Sequence, residues 1–330
     1  MAVVKGLVGA IRMPAVAWSF SQKGYARRAR RFNPEDIPES LAGRQLAVTG
    51  ANGGIGFTIA KTWAERHADV WMLCRNRKRG EAARRRLAGV GEGKIHLEVV
   101  DLADLGSINA FVRDVELPRL DALVHNAGAL VHERREVAPG VEETFACHVV
   151  GPHRLTQGLL PALERAAAPR VVYVASGGMY AEKLHVDDLL DPPSPFDGVR
   201  AYALAKRAQV VLVEKWAELS DRVNFFAMHP GWVDTLGVEE ALPRFYRATK
   251  RWLRTAEQGA DTAVWLSCGQ HLNLDSGAFA FDRQAATRQM LPGTRADEDE
   301  REKLWEVVED LAKSGATATE TMRPSSKLAH

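Results

Sequence analysis

The amino-acid sequence predicts an α/β protein built on a single doubly wound parallel sheet of about seven strands flanked by helices. Three observations carry that prediction. From Gln45 onward short β-rich runs alternate with longer helical stretches, the strand runs are almost unbroken in apolar character, and a glycine-rich turn joins the first strand to the first helix. Alternation of strand and helix is the pattern of βαβ units. Unbroken apolar runs mark strands covered by helices on both faces, whereas a strand with one wet face would alternate.

Taken in order, the strands are expected at Gln45–Thr49, Val70–Cys74, Ile95–Val100, Ala122–His125, Val171–Ala175, Val223–Met228 and Ala278–Phe281. Helical periodicity places helices at Ile55–Arg66, Arg77–Leu87, Val141–Ala166, Ala201–Leu219 and Glu257–Leu266. Two stretches break this rhythm: Gly177–Val199, with Pro192, Pro193 and Pro195, and Gly231–Arg254, with Trp232, Phe245, Tyr246 and Trp252. Connections this long in α/β enzymes usually serve the active site. The sheet domain is expected over residues 43–282, after an N-terminal arm of residues 1–42. An extension, residues 283–330, follows it, with one amphipathic helix at Asp297–Leu311 and then a Ser-, Thr- and Lys-rich end of disordered composition.

Composition narrows the function. The 330 residues carry 44 Lys and Arg against 42 Asp and Glu, so the near balance argues against a nucleic acid or an anionic membrane as the main partner. Cys74, Cys147 and Cys268 are too few and too scattered for a disulfide framework or a zinc site, which points to a reducing, cytoplasmic compartment. The apolar stretch Ala2–Phe20 is interrupted by Lys5, Arg12 and Pro14 and makes a poor membrane span. The basic run behind it, Lys23, Arg27, Arg28, Arg30 and Arg31, reads as a solvated arm packed loosely on the domain. Peripheral membrane contact through residues 1–31 is the alternative. A secretory signal is disfavoured because the charges follow the apolar part.

The turn after the first strand reads Thr49-Gly50-Ala51-Asn52-Gly53-Gly54-Ile55-Gly56. Glycines there permit positive φ and close backbone approach to a pyrophosphate, whose charge the helix N-terminus favours. Gly50, Asn52, Gly53, Gly54, Ile55 and Gly56 are therefore assigned to a dinucleotide cofactor. At the end of the second strand, where an NAD-binding fold usually places an acid on the ribose, this chain has Arg75, with Arg77, Lys78 and Arg79 beside it. A guanidinium can pair with a 2′-phosphate that a carboxylate would repel, so NADP(H) is expected in preference to NAD(H). Asp101 and Leu102, closing the third strand, are placed to contact the adenine.

With Asn126-Ala127-Gly128, Ser176, Tyr202 and Lys206, and Pro230-Gly231, the set resembles the short-chain dehydrogenase/reductase superfamily from about Gly43 to Asp282. Finer features, namely Ser176-Gly177-Gly178-Met179, Phe196-Asp197-Gly198, the run from His229 to Thr235 and Gln258-Gly259-Ala260-Asp261-Thr262, look like its dehydrogenase/reductase family member 12 group. The resemblance implies a Rossmann-type fold, a carbonyl or alcohol substrate and homo-oligomers paired through the Val141 and Ala201 helices. Carbonyl reduction needs a hydride on carbon and a proton on the developing oxyanion. Tyr202 would supply the proton, Lys206 four residues on would lower the phenol's pKa, and Ser176 would orient the substrate oxygen. Asn126, with Ala127 and Gly128, would brace the sheet beneath the nicotinamide. Pro230, Gly231, Val233 and Thr235 would meet its carboxamide, which the resemblance implies.

One position departs from the family pattern. Many members carry an asparagine whose carbonyl holds a water that passes protons to the lysine, and alignment through Phe145 and Gly151 puts His148 there. An imidazole titrating near neutral pH would keep a relay with altered pH dependence. A packed histidine bonded to backbone is the other reading. The function expected is that of an NADP(H)-dependent oxidoreductase acting on CH–OH groups, with an apolar substrate favoured by the loop aromatics. A non-catalytic NADP(H) sensor or assembly protein is the alternative, and the intact Ser176, Tyr202 and Lys206 argue against it.

Overall fold

The computed structural model describes residues 14–321. Its strands are β1 (Gln45–Thr49), β2 (Asp69–Cys74), β3 (Ile95–Val99), β4 (Ala122–His125), β5 (Glu136–Ala138), β6 (Val141–Glu142), β7 (Arg170–Val174), β8 (Asn224–Met228), β9 (Phe279–Phe281) and β10 (Gln284–Ala285). Eight of them form one sheet in the order β3-β2-β1-β4-β7-β8-β9-β10. All seven expected strands are present and run parallel. The eighth, β10, returns antiparallel to β9 through Asp282 and Arg283, whose φ values of 51° and 55° suit a two-residue hairpin turn.

Apolar residues cover both faces of the sheet, as the unbroken strand runs require. One face packs Phe145, Leu155, Tyr173 and Phe225, and the other packs Ile59, Trp63, Met72 and Phe226. The strand order reverses between β1 and β4, so a crevice opens at their carboxyl ends, where ligands of such sheets bind. The glycine turn leaves β1 there, and Asn126-Ala127-Gly128 leaves β4 beside it.

The helix expected over Val141–Ala166 is not continuous. Val141–Glu142 is a strand paired with β5, a turn of helix spans Glu143–Phe145, a π segment covers Ala146–Val150, and an α-helix runs over Gly151–Leu163. The break begins at Glu142, a buried carboxylate that accepts from the N–H groups of Thr144 and Phe145 and so starts the helix only there. A helix at Leu105–Asp114, capped by Asp104, was not expected. The tail helix is longer than its apolar stripe indicates, Glu298–Thr321, and seats Leu304 and Val308 in the core.

The N-terminal arm needs a larger correction. Helices Pro14–Phe20 and Gln22–Ala29 are built into the domain, not laid loosely on it. The Phe20 ring, 3% exposed, packs against His229 and Phe281, with ring centres 4.5 and 5.4 Å away. Arg28 pairs with Asp282 at 2.5 Å, and the buried Arg254 holds Asp282, at 2.6 Å, together with the Ser19 and Phe20 carbonyls. A buried carboxylate is costly unless paired, and two guanidiniums answer it. The earlier apolar residues, 1–13, and the end at 322–330 lie outside the described residues. Among the described residues no helix is long and apolar enough to cross a membrane.

Candidate active site

At the glycine turn the governing quantity is room. Gly50 has φ of 68°, and a Cβ on it would sit 2.9 Å from the Ala127 Cα. On Gly56 a Cβ would lie 2.4 Å from the Asn126 side-chain nitrogen and 2.5 Å from the Gly50 carbonyl oxygen. Asn126 earns this closeness by tying β4 to β1: its side-chain amide donates to the Thr49 carbonyl at 3.0 Å, and its backbone N–H and that of Ala127 donate to the Thr49 hydroxyl. Gly53 and Gly54 are exposed, Asn52 and Ile55 half-buried, and no side chain caps the helix that begins at Gly54. Its N-terminal N–H groups are thus open to an anion, and the turn fits a pyrophosphate. Gly54, at φ 52°, lies against the Thr235 methyl group, so the loop after β8 reaches across the turn.

The Arg75 side chain is 63% exposed at the end of β2, with its guanidinium 3.9 Å from the Glu143 carboxylate. Arg77, Lys78 and Arg79 are exposed next to it, on a helix capped by Asn76. Asp101 accepts from the Ala103 N–H at 3.0 Å and donates its own N–H to Ser107. Leu102 is buried in the core.

Ser176 follows β7; its hydroxyl accepts from the Gly178 N–H at 3.2 Å and faces the Tyr202 phenol, whose proton affinity it lowers. Tyr202 and Lys206 lie on the helix Gly198–Leu219, which Asp197 starts by accepting from Val199 and Arg200. The structure therefore brings the three together. Lys206 is buried, with Nζ donating to the Val174 carbonyl at 2.8 Å and to Gln209 Oε1 at 3.1 Å, and 5.6 Å from the Tyr202 ring centre. Burial pushes the Lys206 ammonium down to about 7. The Tyr202 phenol is pushed up by burial, against the pull of its Ser176 hydrogen bond. This is opposite to the lowering expected from Lys206.

Of the two readings of His148, the structure favours the packed histidine bonded to backbone. Its ring is fully buried against Gly128, where a Cβ would lie 2.4 Å from the imidazole, and Nε2 is 2.9 Å from the Ala129 carbonyl oxygen. Burial, then the Lys206 charge, push its pKa down to about 3, so it stays neutral at neutral pH. The imidazole meets the Tyr202 ring edge-on, with centres 5.2 Å apart. The expected titration near neutral pH does not survive desolvation.

In the loop after β8, Gly231 has φ of 79° and leaves room for Arg254, whose guanidinium also donates to the Pro230 carbonyl. Val233 is buried against Gly259, and the Thr235 hydroxyl accepts from the Val238 N–H to cap the next helix. Trp232 and Phe245 meet edge-on at 5.2 Å. Tyr246 is buried and donates to Asp234, while Trp252 lies at the surface.

These residues match a known arrangement. The short chain dehydrogenase family model matches residues 44–243. The chain belongs to the short-chain dehydrogenase/reductase family. Human dehydrogenase/reductase SDR family member 12 is 39% identical over 89% of this chain and 94% of its own length, which places the chain in that group. An uncharacterised protein from Mycobacterium paratuberculosis has a crystal structure matching 86% of this chain and 97% of its own, at 26% identity and a TM-score of 0.65. A protein from Beutenbergia cavernae, assigned as an NAD(P)-dependent gluconate 5-dehydrogenase and solved with bound NADP, is 29% identical. It covers 70% of this chain and 92% of its own, with a TM-score of 0.56. This short-chain dehydrogenase/reductase is accordingly an oxidoreductase of small molecules with a nicotinamide cofactor. Gln209, which neither motif nor composition singled out, is the site residue the sequence missed. Its place three residues after Lys206, on the same helix face, was the one signal available.

Proposed function

We propose that this short-chain dehydrogenase/reductase transfers a hydride between NADP(H) and the carbinol or carbonyl carbon of a small apolar substrate, with Tyr202 as general acid and base. The observation that carries the reading is the convergence of Ser176, Tyr202 and Lys206 at the carboxyl end of the sheet, on the side where the glycine turn opens. Gly50, Asn52, Gly53, Gly54, Ile55 and Gly56 would hold the pyrophosphate, Arg75 the 2′-phosphate and Asp101 and Leu102 the adenine side. Asn126, Ala127, Gly128, Pro230, Gly231, Val233 and Thr235 would frame the nicotinamide half. The cofactor supplies or accepts the hydride. Ser176 donates to the substrate oxygen, Tyr202 passes its phenolic proton to that oxygen as negative charge develops, and the Lys206 ammonium stabilises the resulting phenolate. The edge-on pair Trp232 and Phe245 beside the site favours an apolar substrate.

Purified protein mixed with NADPH and a panel of retinoid, steroid, quinone and aliphatic carbonyls should oxidise the cofactor, and Tyr202→Phe should not. Tighter binding of NADH than of NADPH would overturn the role given to Arg75. Peripheral membrane contact through residues 1–31 belongs to the same proposal. It is supported by Trp18, 41% exposed with the Arg27 guanidinium over its ring, and flotation with anionic liposomes should drop on removal of residues 1–13.

A further inference from the structure

Gln209 is 1% exposed, and both ends of its amide are used inside the site. Its Oε1 accepts from Lys206 Nζ at 3.1 Å, and its Nε2 donates to the His148 backbone carbonyl at 2.6 Å. The orientation has only one chemically sensible sense, because an ammonium can only donate and a carbonyl can only accept. The His148 carbonyl is available for a local reason. It lies in the π segment Ala146–Val150, and its α-helical partner would be residue 152, which is Pro152 and has no N–H. In this chain the Gln209 amide links that carbonyl to the lysine.

We infer that Gln209 is a positioning residue of the proposed proton-transfer site: its amide bridges Lys206 Nζ, beside Tyr202, to the His148 backbone carbonyl. An amide N–H donates a hydrogen bond without giving up its proton near neutral pH, so Gln209 fixes the geometry of this bridge and does not itself carry a proton. The imidazole of His148 is turned to Ala129. The groups facing Lys206 are Tyr202 on its own helix, Cys147 and His148 on the π segment, and His125 at the end of β4. None of these is a carboxylate, so the ammonium is held by two neutral oxygens, the Val174 carbonyl at 2.8 Å and Gln209 Oε1 at 3.1 Å, of which only the second belongs to a side chain.

The inference rests on the proposed function for its kinetic consequence, but its first test does not depend on turnover. In protein labelled with 13Cε-lysine, the Lys206 signal, identified by its loss in Lys206→Arg, should titrate near pH 7. In Gln209→Glu a carboxylate replaces the amide against the ammonium, and the midpoint should rise by at least one pH unit. The pH limb of kcat/KM for whichever carbonyl is accepted should move with it. Gln209→Leu, of similar volume, should lower kcat about tenfold to a hundredfold while the KM for NADPH changes less than threefold. An unmoved Lys206 midpoint in folded Gln209→Glu would overturn the proposal. So would a Gln209→Leu variant that loses thermal stability but keeps the wild-type kcat and pH limb, since that is a packing role only. If wild-type protein turns over no carbonyl while the Lys206 midpoint still moves, the proposed function fails and the placement of Gln209 stands.

Discussion

At Gly56 one added methyl group would meet the Asn126 amide at 2.4 Å, whereas the proton affinity of Tyr202 is governed first by burial and then by Ser176. The cofactor side of the crevice is made of backbone shape. It needs positive φ at Gly50 and Gly54 and absent side chains where β1 and β4 approach, and it carries no titrating group in the turn itself. The proposed proton-transfer side is made of side chains from the turn after β7, the Gly198–Leu219 helix and the π segment, with proton affinities shifted mainly by desolvation. The first half should therefore be sensitive to volume and indifferent to pH, and the second the reverse.

Tyr202→Phe tests this contrast with the largest effect. Removing the proposed general acid should cost about a thousandfold in kcat, or about 4 kcal/mol of transition-state stabilisation. The Kd for NADPH, measured by nicotinamide fluorescence, should change less than threefold. A matching loss of cofactor binding would mean that the two halves are one coupled unit. Gly56→Ala should do the opposite. Forcing a methyl against Asn126 and the Gly50 carbonyl should cost about 1–3 kcal/mol, read as weaker NADPH binding and a lower Tm, with a pH profile of residual activity that matches wild type.

The same contrast explains what the sequence disclosed. Most strands were legible because burial on both faces leaves no polar alternation, while the edge strand Ile95–Val99 alternates and is half-buried; the glycine turn was legible because steric need acts on neighbours in the chain. Ser176, Tyr202 and Lys206 were legible as a motif, but not the direction of the Tyr202 shift, which depends on how much protein covers it. The break after Glu142 was hidden because it turns on one carboxylate folding back on its own backbone. The N-terminal segment was misread for a related reason. Arg28 looks like any member of a basic run until Asp282, 254 residues later, is brought beside it. Gln209 was silent for the same cause: its second partner, the His148 carbonyl, lies 61 residues earlier on another element.

Arg75→Glu probes the cofactor half by charge instead of volume. Since the Arg75 side chain is 63% exposed, solvent screens it, and the loss of a charge-assisted contact should be about 2 kcal/mol at most. The ratio of NADPH to NADH affinity should fall about tenfold to thirtyfold, and high salt should shrink the difference. No change in the ratio would assign 2′-phosphate recognition to another cation, with Arg77 and Arg79 next in place.

The smallest effect is the sharpest test of the proton-transfer half. His148 has an ordinary pKa near 6.5 when unfolded and is pushed down to about 3 in the fold. The unfolded chain therefore binds a proton that the folded one refuses between these values. The contribution to stability is whole above about pH 6.5 and is lost as pH falls toward 3, at no more than about 1.4 kcal/mol per pH unit. In His148→Asn the side chain can still meet Ala129 but does not titrate. Urea unfolding from pH 6 to 4.5 should show a slope of stability against pH that is shallower by about one proton than in wild type. The pH limb of activity near neutrality should stay where it is, because a histidine that is neutral throughout that range cannot set it. Equal unfolding slopes would mean that the imidazole takes up a proton inside the fold. A proton-accepting His148 beside Tyr202 would then return to the proton path as a side chain.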